Sequence, residues 1–225
     1  GIPPEICWLQ CGACEHVYTD GYHSKEALRH ILGGVNEHQT IGVDIEKHRL
    51  VSARMVEKIL PTVSKGFWCD IGFGNAALLL TAQEYGFVPV GIDLRRDNVE
   101  ALKGLGVEAH CVDLAEFRQP SRFAVVSMCD VLEHMPYPAE SLRLVHALLD
   151  DHGVLLVSMP NMDSIFWAIA DTLDTNPYWG ELEHYHNFGK QQLYRLLRNT
   201  GFEPIRYGIS ERYRFCMEVV AKKVR

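Results

Sequence analysis

The sequence has no uninterrupted apolar run long enough to cross a bilayer as a helix, so no membrane span is expected. Its first residues lack the charged-then-apolar pattern of a secretory signal, and the expected setting is the cytoplasm. No long Lys/Arg run is present, and 22 basic residues stand against 29 acidic ones for a net charge of −7. Extended binding along a nucleic-acid backbone is therefore not expected. Internal repeats and low-complexity stretches are missing too, which argues against a solenoid or a disordered chain. A second Cys-x2-Cys is also absent. Cys7, Cys11, Cys14 and His16 offer half of a zinc knuckle, but His16 follows Cys14 too closely to complete a four-ligand tetrahedron. The expectation is that no metal is bound. Seven cysteines are an odd number, and Cys69, Cys111, Cys129 and Cys216 sit in apolar, strand-like runs. They read as reduced, packed thiols rather than a disulfide framework.

What is present is an ordinary globular balance, 47% hydrophobic and 23% charged, in 225 residues. That length suits one large domain with a small attachment. The chain is organised around Trp68-Cys69-Asp70-Ile71-Gly72-Phe73-Gly74-Asn75-Ala76-Ala77. A short apolar run enters this stretch and Leu78 to Glu84 leaves it as a helix. Glycine serves where a backbone turns sharply or must approach a ligand without a Cβ. The following helix turns its unpaired N–H groups and positive dipole end toward the same space. The stretch reads as a strand, a tight turn and a cofactor-facing helix start.

From residue 66 onward strands alternate with helices. Strands are expected at 67–71, 88–93, 107–112, 123–129 and 154–159, with helices near 75–85, 96–104 and 138–150. That rhythm implies a parallel sheet covered by helices on both faces. Two final strands, 203–209 and 213–221, have too short a connection for a crossover and should pair as an antiparallel hairpin. Before the core, 44–60 has helical spacing and ends at Pro61, while residues 1–24 read as irregular. Residues 160–188 interrupt the rhythm with Phe166, Trp167, Tyr178, Trp179, His184, Tyr185 and His186, an aromatic content that argues against disorder.

The turn Asp70-x-Gly72-x-Gly74, the acids that end later strands, and Cys129-Asp130-Val131-Leu132-Glu133-His134 together resemble the class I S-adenosylmethionine (SAM) methyltransferases of small-molecule type. A second signature strengthens this: His184-x3-Phe188, a helix, then Gly201-Phe202. The resemblance spans about residues 66–221. One departure is Ala76, where many members carry a third glycine. The resemblance implies a Rossmann-like, doubly wound α/β fold with seven strands in the order 3-2-1-4-5-7-6. It divides the chain into a Cys-rich segment and helical lid at 1–60 and a SAM-binding domain at 61–225, with 160–188 inserted.

SAM is the implied cofactor. Gly72 and Gly74 would form its turn, and Asp93 would take the paired ribose hydroxyls, a charge-assisted contact. Asp113 would accept from the adenine amino group, with Leu94 and Leu114 beside the ring. Cys129 and Asp130 would lie near the methionine end, and Asp70 would hold the ammonium. Helix capping is the competing role for Asp93 and Asp113. His134, His184 and His186 are the candidate bases, because histidine titrates near neutral pH. The expected reaction is methyl transfer to an oxygen or carbon of a small molecule. No Asn-Pro-Pro-Tyr follows the fourth core strand, which disfavours the amine chemistry that motif serves. Gly72-x-Gly74-x-x-Ala77 also fits a dinucleotide fingerprint, so an NAD-linked oxidoreductase is one alternative; an acid at Asp70 would repel its pyrophosphate. A non-catalytic SAM-binding protein is the other. The sequence assigns neither the acceptor nor the oligomeric state.

Overall fold

The computed structural model describes residues 6–33, 39–119 and 122–224. In chain order the elements are β1 (Trp8–Gln10), β2 (Val17–Thr19), α1 (Lys25–Gly33), α2 (Ile45–Ile59), β3 (Gly66–Ile71), α3 (Ala77–Glu84), β4 (Phe87–Asp93), α4 (Arg96–Gly104) and β5 (Glu108–Cys111). There follow β6 (Phe123–Cys129), α5 (Pro138–Leu148), β7 (Leu149–Pro160), α6 (Ile165–Thr172), β8 (His186–Asn187), α7 (Lys190–Asn199), β9 (Phe202–Ile209) and β10 (Cys216–Lys223).

Seven strands form one sheet in the order β5-β4-β3-β6-β7-β10-β9. The first five run parallel, and β10 is antiparallel to both β7 and β9. This is the expected Rossmann-like order, 3-2-1-4-5-7-6, with its antiparallel C-terminal hairpin. A parallel sheet needs cover on both faces, and strand alternation supplies it. Trp68, Val125 and Leu156 pack with Met55 and Ile59 of α2, Leu79 of α3 and Leu102 of α4. Their neighbours Cys69, Val126 and Leu155 face the other way, against Leu142 and Val145 of α5 and Leu193 and Leu197 of α7. Helix α2 is also held by an ion pair. Lys58 Nζ lies 2.6 Å from the buried Glu218 of β10 and 2.8 Å from Glu211.

Three expectations need correction. Residues 6–24, read as irregular, contain the β1–β2 hairpin; β2 also pairs with β8, making a separate three-stranded sheet. Residues 1–5 lie outside the described residues. The last strand begins at Cys216 rather than Tyr213, which lengthens the connection after β9 that carries Arg212, as expected, outside the strands. Cys111, expected inside, is exposed because β5 is an edge strand. All seven thiols are free.

The 160–188 excursion is closed at its base. Asn161 bridges Phe188, and Asp163 accepts from the Lys190 N–H at 2.7 Å. Inside it Trp167 stacks on Tyr178 with ring centroids 5.3 Å apart, and Trp8 of β1 meets Trp179 edge-on.

Candidate active site

Strand order brings the C-terminal ends of β5, β4, β3 and β6 side by side, and with them Asp113, Asp93, the Gly72 turn and Asp130. In open α/β sheets this is where ligands bind.

Gly72 has φ +67 and donates its N–H to the Ile92 carbonyl at 2.7 Å, which ties the turn to β4. A Cβ there would lie 2.7 Å from a Val131 methyl. Gly74 is also left-handed, at φ +57. Ala76 stands at φ +60 as the N-cap of α3. The methyl that departs from the third-glycine pattern therefore sits in a backbone region costing an L-residue about 1–2 kcal/mol.

Asp70 is 4% exposed. It accepts a 2.6 Å bond from the Ser127 hydroxyl, which in turn accepts from the Trp68 indole N–H at 2.9 Å. Burial pushes its carboxyl up to about 7, against the opposing pull of Ser127 and Arg212, with Asp93 and Asp130 adding to the rise. A raised carboxyl favours the folded state while protonated, and that contribution is lost as pH rises through 7. A cationic ligand reverses the preference, because it favours the carboxylate. We therefore expect SAM or its product S-adenosylhomocysteine (SAH), both carrying the methionine ammonium, to bind more tightly as pH rises from 6 to 7. The gain is at most about tenfold per pH unit, with proton release on binding. Calorimetry in buffers of different ionisation enthalpy checks this. A pH-independent affinity without proton release contradicts it, and Asp70→Asn should abolish the slope.

Asp93 ends β4 and is 5% exposed. Its carboxylate accepts from the Gly74 N–H at 3.3 Å, the Arg95 N–H at 2.9 Å, and the Arg95 guanidinium at 3.0 and 2.8 Å. It thus braces the turn and the start of α4 together. Arg95 also reaches Gln39, and Asn98 donates to the Gly74 carbonyl at 2.9 Å. Asp113 is exposed and accepts from the Ala115 N–H at 2.8 Å, closing the turn at 114–116 rather than capping a helix. Leu94 is exposed and Leu114 is buried. Cys129 is buried at the end of β6. Asp130 has φ +59 and accepts from the Ser158 hydroxyl at 3.1 Å; its second oxygen faces Arg212 at 3.5 Å.

The candidate bases separate into two groups. His134 and His184 meet edge-on with ring centroids 4.7 Å apart. Burial lowers both, and His134 helps hold His184 at about 3, so both imidazoles are neutral at physiological pH. His186 lies elsewhere. Its Nδ1 is 3.0 Å from Nε2 of His16, and its ring packs against Phe188. Sequence reasoning passed over Glu133, Arg95 and Arg212. Glu133 was signalled only as an ionisable residue in an apolar strand end beside His134. Arg212 carried no local signal, because its partner Asp130 is far away in sequence.

The buried acids, the glycine turn and the open strand ends fit a nucleoside cofactor with a cationic amino-acid arm. Residues 45–207 match the methyltransferase-domain family, and the chain belongs to it. The family is one of SAM-dependent methyltransferases, so SAM is the cofactor of its class. Among curated proteins the chain is similar to the ubiquinone biosynthesis O-methyltransferase of Histophilus somni (strain 2336). The two are 28% identical over 113 residues, 45% of this chain and 48% of that protein. The chain thus spans about half the length of this relative. Among solved structures it resembles the Burkholderia thailandensis 1,6-didemethyltoxoflavin-N1-methyltransferase, with TM-score 0.67 and 17% identity, covering 98% of this chain and 100% of that one. It also resembles the magnesium protoporphyrin IX methyltransferase of Synechocystis PCC 6803, with TM-score 0.65 and 16% identity, covering 89% and 100%. At these identities the structural likeness establishes the fold. Among the described residues, no helix is long and apolar enough to cross a membrane.

Proposed function

We propose that this protein transfers the methyl of SAM to the oxygen of a small-molecule acceptor. The observation that carries the reading is the neutral pair His134–His184, set just after β6 and next to Asp130. SAM supplies a methyl already made electrophilic by its sulfonium. What remains for the protein is to hold, orient and desolvate the acceptor. Asp93, Asp70 and the Gly72–Gly74 turn would hold ribose, ammonium and carboxylate. Asp113, with Leu94 and Leu114, would flank the adenine, and Cys129 and Asp130 would border the methionine arm. Asp113 must then exchange its bond to the Ala115 N–H, and Asp93 its Arg95 contact, for ligand.

An oxygen acceptor must shed a proton as it attacks, so groups able to draw it off are needed nearby. His134, neutral at physiological pH, is the one placed to take it, with the more strongly depressed His184 orienting the acceptor, and a carbon acceptor would make less use of them. The curated relative's O-methylation points the same way. The hairpin β1–β2 and the 160–188 excursion, joined through β8, would form the acceptor side of the cleft, with residues 61–225 carrying the cofactor. The family match leaves the NAD-linked alternative without support.

The test is incubation with SAM and a panel of phenols, catechols, aliphatic alcohols and carbon acids, read by mass spectrometry. We expect SAH and an O-methylated product from at least one hydroxylated acceptor. Methylation confined to carbon acids would overturn the oxygen assignment. SAH binding without turnover on any acceptor would favour a non-catalytic SAM-binding protein.

A further inference from the structure

Glu133 is 1% exposed, and neither of its carboxylate oxygens has a hydrogen-bond partner among the described residues. That is a costly arrangement for an acid. Even in its neutral form it would need an acceptor for its proton. The nearby guanidinium of Arg212 is directed at Asp130 and the Cys129 carbonyl instead. His184 is 7% exposed, and its Nδ1 is likewise buried without a partner. Ligand atoms of Glu133, His134 and His184 all lie within 4.8 Å of one another, the one such group of three among the described residues.

The backbone holds this group deliberately. The short 3-10 turn Leu132–His134 presents Glu133 and His134 from adjacent positions. The Tyr185 N–H donates to the Glu133 carbonyl at 2.9 Å. His134 Nδ1 lies 2.8 Å from the Glu183 carbonyl, which can only accept, so Nδ1 carries the proton. These two bonds flank His184 on both sides in sequence and pin it against the turn. The second also fixes the His134 tautomer, so that in the neutral ring Nε2 carries the lone pair. A ring N–H bonded to a backbone carbonyl is the usual outer support of a metal-bound histidine.

We propose that Glu133, His134 and His184 bind a single divalent transition-metal ion of the zinc type, beside the methyl-transfer groove. Two imidazoles and one carboxylate suit zinc and its first-row neighbours, whereas magnesium and calcium prefer all-oxygen sites. An ion there would give the unpartnered, buried Glu133 carboxylate the countercharge it lacks. Three protein ligands leave a coordination position open. The role assigned to the ion rests on the oxygen-acceptor reading; its binding does not. An ion in this place would take the acceptor hydroxyl and lower its pKa. The proton passes to solvent, the oxygen forms the new bond to the methyl carbon, and sulfur keeps the electron pair of the broken bond. With the ion bound, the same neutral lone pairs of His134 and His184 hold it, and the ion takes over from His134 the task of freeing the acceptor oxygen of its proton.

The experiment is a titration of the metal-stripped full chain with Co2+, followed by displacement with Zn2+. Cys7→Ser, Cys11→Ser and Cys14→Ser are introduced first, so that the closely spaced N-terminal thiols do not compete. We expect a single Co2+ per chain with visible d–d absorption and no thiolate charge-transfer band. Glu133→Gln, which preserves side-chain shape, and His184→Ala should each weaken binding by about 100-fold or more. Circular dichroism without metal checks that both variants are folded. Zinc should raise the melting temperature of the parent and leave that of Glu133→Gln unchanged. Absence of stoichiometric binding, or binding that survives either substitution, overturns the three-ligand site. The readout is metal affinity, so failure of the methyl-transfer reading would leave this result standing, and the reverse.

Discussion

Asp93→Ala should weaken SAH binding by about 100-fold while the chain stays folded. Hydrogen bonds to a charged group are worth about 1.5–3 kcal/mol each, and the ribose offers two hydroxyls to this carboxylate. Against that gain stands the Arg95 guanidinium, which holds the same oxygens at 3.0 and 2.8 Å and must give way. A net loss of about 3 kcal/mol remains, and each 1.4 kcal/mol is a factor of ten. Arg95→Ala separates this role from simple bracing. Removing the competitor should leave SAH affinity unchanged or raise it, the opposite sign to Asp93→Ala. Calorimetry on both variants, with circular dichroism for fold, makes the comparison. If Asp93→Ala binds SAH as tightly as the parent, the role of Asp93 is confined to bracing the glycine turn and the entry to α4.

The second large effect is expected at Gly72. Gly72→Ala places a Cβ at φ +67, 2.7 Å from a Val131 methyl. The left-handed backbone costs about 1–2 kcal/mol, and overpacking costs about 1–3 kcal/mol more. For a domain of this size about 1 kcal/mol moves the melting temperature by 2–4 °C, so a fall of about 10 °C is expected. Because the turn also shapes the cofactor site, SAH affinity should fall with it. Val131→Ala in the same chain removes the collision and leaves the backbone strain, so the double variant should regain about half of the lost stability. A Gly72→Ala chain with unchanged melting temperature and affinity would show that the turn tolerates a side chain.

The sheet was legible in the sequence because each core strand is a short apolar run bounded by glycine, proline or an acid. Phe123–Cys129 is buried along its whole length, and no local preference competes with that pattern. The carboxylates at strand ends were legible for the same reason. Their partners were not. Arg95 at Asp93 is a side-chain conformation, and Arg212, expected in the connection before the last strand, meets Asp130 only through the tertiary fold, which no local pattern encodes. The N-terminal hairpin escaped because β1 and β2 have three residues each. That is too few for a period-two signal, and β2's other partner, β8, has two residues and lies at the far end of the chain. The same distant pairing hid the split among the histidines. His134 and His184 meet through the bonds of Glu133 to Tyr185 and of His134 to Glu183, while His186 is drawn to His16 through the β2–β8 pairing.

A crystal structure of the chain with SAH tests the central claim most directly. It should show adenosine across the C-terminal ends of β3 and β4, the ribose hydroxyls on the Asp93 carboxylate, Arg95 turned away, and the ammonium next to Asp70. Adenosine bound elsewhere, with Arg95 still seated on Asp93, would contradict it.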